Sequence, residues 1–134
     1  MNVYLLDTNI IIRLLRNGEY LDKLIELGQG RSAISIITYY EIYVGIEKSP
    51  NTKLRKKKCQ KFEELVDLLT VIPFGREEAK EASKIRVSLE AIGKGIGPMD
   101  TLIAGLALAN DCVLVTGNTK EFNRVKGLDV EDWS

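Results

Sequence analysis

Histidine is absent from this 134-residue chain, and that absence sorts its chemistry first. No Ser-His-Asp triad, no Cys-His pair and no imidazole couple for RNA transesterification can be assembled. Hydrolysis would have to run on carboxylates, a metal ion or a lysine. Four polar positions stand where such chemistry would be useful: Asp7, Glu41, Asp100 and Asn118. Asp7 ends the apolar run Val3 to Leu6, and taken alone it suits a helix N-cap. Glu41 has Ile37, Thr38, Val44 and Gly45 at helical spacing, with Tyr39, Ile42, Tyr43 and Ile46 on the adjoining face. A carboxylate in those surroundings is costly unless a cation compensates it, either a metal or an Arg or Lys from elsewhere. Asp100 heads a stripe of Ile103, Ala104 and Ala107, although an acid in a first turn also suits the helix dipole. Asn118 follows Gly117, by default a turn. Together these are hard oxygen donors of the kind that hold Mg²⁺ or Mn²⁺. Without a cation they would repel one another and raise each other's pKa.

The elements that must position them alternate between short apolar runs and amphipathic helices. Val3 to Leu6, Ala33 to Ile36, Thr70 to Ile72 and Cys112 to Val115 read as strands, with Leu128 to Val130 as a short edge strand backed by Trp133. Helices are expected from about Asn9 to Arg16, around Leu21 to Gly28, from Thr38 to Lys48, Thr52 to Leu69, Glu77 to Ile92 and Met99 to Ala109. Strands that are apolar throughout, and that alternate with helices, imply a parallel sheet covered on both faces. Ligands gather at the carboxyl ends of such strands, where Asp7 and Asn118 fall.

Length and composition allow one domain, residues 1–134, with no linker or repeat. No apolar run is long enough to span a bilayer, and nothing at the amino end reads as a signal peptide, so a cytoplasmic protein without membrane contact is expected. Cys59 and Cys112 match no ligand spacing and read as reduced, packed thiols. The net charge is zero, but six of the nine residues from Lys53 to Lys61 are basic. That run is either a solvated helix face or a set of phosphate contacts.

In order and spacing the chain resembles the PIN-domain nucleases, and within them the VapC-type toxins of toxin–antitoxin pairs. The landmarks are Leu6-Asp7-Thr8-Asn9, Ile34-Ser35-Ile36-Ile37-Thr38 leading to Glu41 and Gly45, Gly97-Pro98-Met99-Asp100, and Leu114 to Thr119 with Phe122, followed by Gly127-Leu128 and Trp133. The resemblance implies a three-layer α/β/α sandwich around a parallel sheet of four or five strands. It implies a Mg²⁺- or Mn²⁺-dependent endoribonuclease, often acting on tRNA or ribosomal RNA, that is inhibited by a small cognate antitoxin and usually homodimeric. Asp7, Glu41 and Asp100 match the family's acidic positions and metal ligands. Its fourth position, frequently Asp, is here the uncharged Asn118. Thr8, Asn9 and Thr116 are expected to support the acids, and Arg86 and Lys94 to reach RNA phosphate. Two other readings are a PIN-like module that only grips RNA or protein, and a phospho-accepting receiver domain. The receiver fits poorly, because it wants paired acids after the first strand and a lysine after the last.

Overall fold

Strands β1 (Tyr4–Leu6), β2 (Ser32–Ser35), β3 (Thr70–Ile72), β4 (Val113–Val115) and β5 (Val130–Glu131) pair in parallel in the order β3-β2-β1-β4-β5. These coordinates are a computed structural model that describes residues 2–134. The order shows how the chain travels. It moves outward from β1 through β2 to β3, then returns to the far side of β1 as β4 and β5. The reversal lies between β1 and its two neighbours, the place where an open parallel sheet leaves a crevice at its carboxyl ends.

Successive strand residues face opposite layers, so each strand feeds two cores. Leu5, Ala33 and Leu114 pack with Ile85, Leu89, Ile103, Leu106 and Phe122. Leu6, Ile34 and Val115 pack with Ile10, Leu14, Ile42, Ile46, Phe62 and Leu65. Helices α1 (Thr8–Asn17), α3 (Ile36–Glu47) and α4 (Thr52–Val66) supply the second layer; α5 (Arg76–Ala91) and α6 (Pro98–Ala109) supply the first. Each fully buried Leu, Ile or Phe contributes roughly 1.5–3 kcal/mol, so the sheet is fixed from both sides. The result is the three-layer α/β/α sandwich implied by the resemblance, with five strands.

Several boundaries differ from the sequence reading for physical reasons. Ile36 begins α3 instead of ending β2, because the Ser35 hydroxyl accepts the Thr38 N–H at 2.9 Å and caps the helix there. The charged helix α4 stops at Val66, and β5 lies at Val130–Glu131, two residues later than the run Leu128 to Val130 suggested. Two short helices complete the chain, α2 (Leu21–Leu27) and α7 (Thr119–Phe122). α7 replaces what read as a simple turn.

Helices α5 and α6 approach closely because Gly105 has no side chain. A Cβ there would stand 2.6 Å from the Ala82 backbone nitrogen. That contact holds α6, which carries Asp100 in its first turn, close against α5. Among the described residues no helix is long and apolar enough to cross a membrane. Both cysteines are free, and Cys112 is buried.

Candidate active site

Asp7 stands one residue beyond β1, and its N–H donates to the Val115 carbonyl at 2.9 Å, which ties it to the end of β4. Its side chain is 4% exposed. One carboxylate oxygen accepts the Thr8 N–H at 2.8 Å and the other accepts the Thr116 hydroxyl at 2.7 Å. The capping role visible in the sequence is therefore present, but it uses only one oxygen. Burial pushes the pKa of Asp7 up, the Thr116 and Thr8 bonds pull it down, and the charge of Glu41 adds to the rise.

Glu41, half-buried on α3, accepts the Thr8 hydroxyl at 2.6 Å. With its proton committed to Glu41, the Thr8 hydroxyl must accept from Thr38, 3.0 Å away, while Ser35 donates to Thr38 at 3.2 Å. A directed chain of hydroxyls from Ser35 thus ends on Glu41. No Arg or Lys closes an ion pair with Glu41 among the described residues. The compensating cation that a carboxylate in those surroundings called for is not supplied by the protein.

Asp100 shows the strain of this arrangement most clearly. Its pKa rises to about 7: burial is the largest cause, followed by the charge of Asp7, a hydrogen bond with Glu121, and the charges of Glu121 and Glu41. Two carboxyl groups can hydrogen-bond only by sharing a proton. Asp7, Glu41, Asp100 and Glu121 therefore feel one another across the carboxyl ends of β1, β2 and β4.

Glu121 was not singled out in the sequence. The four-residue helix α7 turns it back toward the sheet, and Asn118 donates to its carboxylate at 2.7 Å. The fourth position therefore works as a pair, with Asn118 holding an acid three residues later. The available signal was the spacing of Asn118, Glu121 and the apolar Phe122, which anchors α7 fully buried in the core. Thr116 connects the two halves, since its hydroxyl donates to Asp7 and accepts the Asn118 N–H at 3.0 Å. The Asn9 side-chain oxygen Oδ1 accepts the Gly117 N–H at 3.4 Å.

Arg86 and Lys94 do not join this group. Arg86 pairs with Glu90 at 3.0 Å on the exposed face of α5, and Lys94 is exposed after α5; neither bonds to the four acids. The basic run of α4 comes closer. Lys57, Lys58 and Lys61 line a groove of about 460 Å³ between α1, α3 and α4, and Glu41 stands in its wall.

The oxygen-only donor set suits a small hard dication. As placed, no three acidic, Cys or His side chains among the described residues converge on one coordination point. Asp7 and Glu41 are turned to hydroxyl and N–H donors, and Asp100 to Glu121. The fit to a dication therefore rests on the chemistry of the donors and on their mutual repulsion.

The PIN domain family matches residues 4–128. The chain belongs to that family. The tRNA(fMet)-specific endonuclease VapC of Shigella flexneri is 36% identical over 132 residues, 98% of each chain. Ribonuclease VapC2 of Haemophilus influenzae is 33% identical over 132 residues, 97% of each. A chain of the DNA-bound VapBC crystal structure from Salmonella typhimurium superposes with a TM-score of 0.92 at 33% identity, over 100% of both chains. FitAcB from Neisseria gonorrhoeae follows with a TM-score of 0.85 at 27% identity, over 96% of both. PIN-domain nucleases are generally dependent on divalent metals, which agrees with an acid cluster lacking a protein cation.

Proposed function

We propose that this PIN domain is a Mg²⁺- or Mn²⁺-dependent endoribonuclease, the toxin of a type II toxin–antitoxin pair. The carrying observation is 36% identity, over 98% of each chain, to a protein named as a tRNA(fMet)-specific endonuclease, in a chain where the charges of Asp7, Glu41 and Glu121 add to burial in raising the pKa of Asp100. Such crowding disfavours the charged form of each acid unless a cation enters. Relatives named as tRNA(fMet)-specific endonuclease or ribonuclease, each spanning nearly the whole chain, support RNA as substrate, with tRNA or ribosomal RNA as the class. VapBC structures support a small antitoxin as the protein partner. We further propose one catalytic domain over residues 1–134 that works in the cytoplasm as a homodimer.

When bound, the ion would lower the pKa of water and neutralise charge growing on the phosphoryl oxygens. Asp7 and Asp100 are assigned as its direct ligands, and Glu41 as a ligand directly or through water. The protein's own part is orientation. Thr116 fixes one oxygen of Asp7, Thr8 fixes Glu41, and Asn118 fixes Glu121 against Asp100. Burial and neighbouring charge favour the protonated form of Asp100, so binding of a cation there would release acid. Water then attacks phosphorus in line, the 3′-oxygen leaves, and the products carry 5′-phosphate ends.

The deciding experiment is cleavage of cellular RNA with Mn²⁺, repeated with chelator, followed by end-mapping. Metal-dependent cuts bearing 5′-phosphates support the reading. Cleavage that survives chelation, or 2′,3′-cyclic phosphate ends, would refute it. The rival reading as a binding module would show RNA retention without cuts under either condition.

A further inference from the structure

Arg13 is an exposed cation with no structural duty large enough to explain its setting. It lies on the same face of α1 as Asn9, one turn later, and helical side chains lean toward the helix N-terminus. In α1 that direction is the carboxyl end of the sheet. The guanidinium reaches 3.7 Å from the point where a Cβ on Gly117 would stand. Gly117 separates Thr116, which holds Asp7, from Asn118, which holds Glu121. Arg13 therefore hangs over the one bare position in the loop that organises half the acid cluster.

Three further observations bear on it. One of its donors goes to the Tyr20 hydroxyl at 3.0 Å. Tyr20 takes a left-handed backbone, φ 69°, at a cost of roughly 1–3 kcal/mol for a bulky residue. Its ring lies 6.2 Å from that of Trp133, so the hydroxyl that steers Arg13 is itself held. Second, Glu19 and Asp132 are near enough to add to the rise in the guanidinium pKa that the Tyr20 bond begins, yet neither closes an ion pair with it. Third, Gly117 is required neither by its backbone, which is not left-handed, nor by crowding. The three atoms nearest to its Cβ point all belong to Arg13, at ordinary contact distance. A glycine there leaves open the space beside the terminal guanidinium nitrogens.

We propose that Arg13 binds an RNA phosphate adjacent to the scissile one, with Tyr20 aiming the guanidinium and Gly117 leaving room for the strand. This rests on the ribonuclease reading. A cation beside the acids, but not neutralised by them, offsets the repulsion that a negative cluster exerts on an approaching backbone, and its fork can grip a phosphate through two bonds.

The test is binding of a labelled single-stranded RNA to protein carrying Asp7→Asn, with and without Arg13→Ala, Arg13→Lys or Gly117→Val, across a salt series. One lost phosphate contact predicts that Arg13→Ala flattens the slope of log K against log salt by about 0.7 and weakens binding roughly tenfold. Arg13→Lys should keep the slope while losing part of the affinity, which separates charge from folding. Gly117→Val should weaken binding although no charge changes. An unchanged slope in Arg13→Ala, with its melting temperature retained, overturns the assignment. Cleavage by the wild type is scored separately, so a protein that cuts RNA yet shows no Arg13 slope refutes this inference alone. A wild type that never cuts RNA refutes the ribonuclease reading.

Discussion

Helix α3 carries carboxylate chemistry on two sides, and the two sides are opposites. On one, Glu63 of α4 accepts the hydroxyls of Tyr39 and Tyr43 at 2.8 and 2.7 Å. The tyrosine pKa values rise, for Tyr39 chiefly through Glu63 and for Tyr43 chiefly through its contact with Cys59 at 3.2 Å. That acid has donors of its own and joins two helices, with the Tyr39 ring tilted against Phe62 and the Tyr43 ring meeting it edge-on. On the other side, Glu41 adds its charge to those acting on Asp7 and Asp100, with a single hydroxyl donor of its own. One carboxylate completes its hydrogen bonds inside the protein, while the other group is left with excess negative charge. The first arrangement holds structure together; the second asks for a ligand.

The sharpest way to break that contrast is Asp7→Asn. Removing one acid relieves repulsion, so folding should persist, whereas cleavage should fall by about 10²–10³-fold or more. RNA cleavage rates and a melting curve on the same sample check both halves. Retained turnover would place the chemistry elsewhere. Glu121→Gln and Asn118→Ala should act more mildly, reducing cleavage by roughly 10–100-fold, as expected for groups that orient a ligand. Similar losses in both would support their working as a pair, and an effect confined to Asn118 would not.

Across the helix the signs reverse. Glu63→Leu leaves two tyrosine hydroxyls without their acceptor and should cost about 1–2 kcal/mol, or roughly 3–8 °C in melting temperature, with cleavage preserved. Loss of activity without loss of stability in that variant would erase the distinction between the two sides.

A pH dependence in chelated protein reads the same crowding directly. Because Asp100 titrates at about 7 folded against an ordinary 3.8, the folded state holds more protons through that window. Stability should therefore fall as pH rises from about 4 to 7, opposite to the usual behaviour of a paired acid. Asp100→Asn should flatten the curve, and added Mn²⁺ should reverse it by favouring the ionised acids. Melting temperatures at stepped pH, with and without metal, test this.

Much of this was legible in the chain. The alternation of apolar runs with 3.6-residue periodicity sets the parallel α/β sandwich, because strands buried on both faces are mostly apolar. The lack of histidine forces carboxylate chemistry, and the apolar neighbours of Glu41 mark it as an acid out of place. Glu121 left only a faint trace, its spacing between Asn118 and the apolar Phe122, because its partner Asp100 is remote in the chain. That Arg86 and Lys94 stand apart from the acids was not legible either, because the sequence does not show which face of α5 and its following loop they occupy.

Residue types and their periodicity thus decided by themselves which elements form and which chemistry is excluded, since both depend on interactions within a few residues. Which acids crowd one another, which hydroxyl holds which oxygen, and which arginine overhangs the loop at Gly117 were decided only when parallel pairing placed β1 between β2 and β4. Those contacts join residues as far apart as Asp7 and Thr116, and Coulomb repulsion and hydrogen bonding depend on distance in space, which only the assembled sheet supplies.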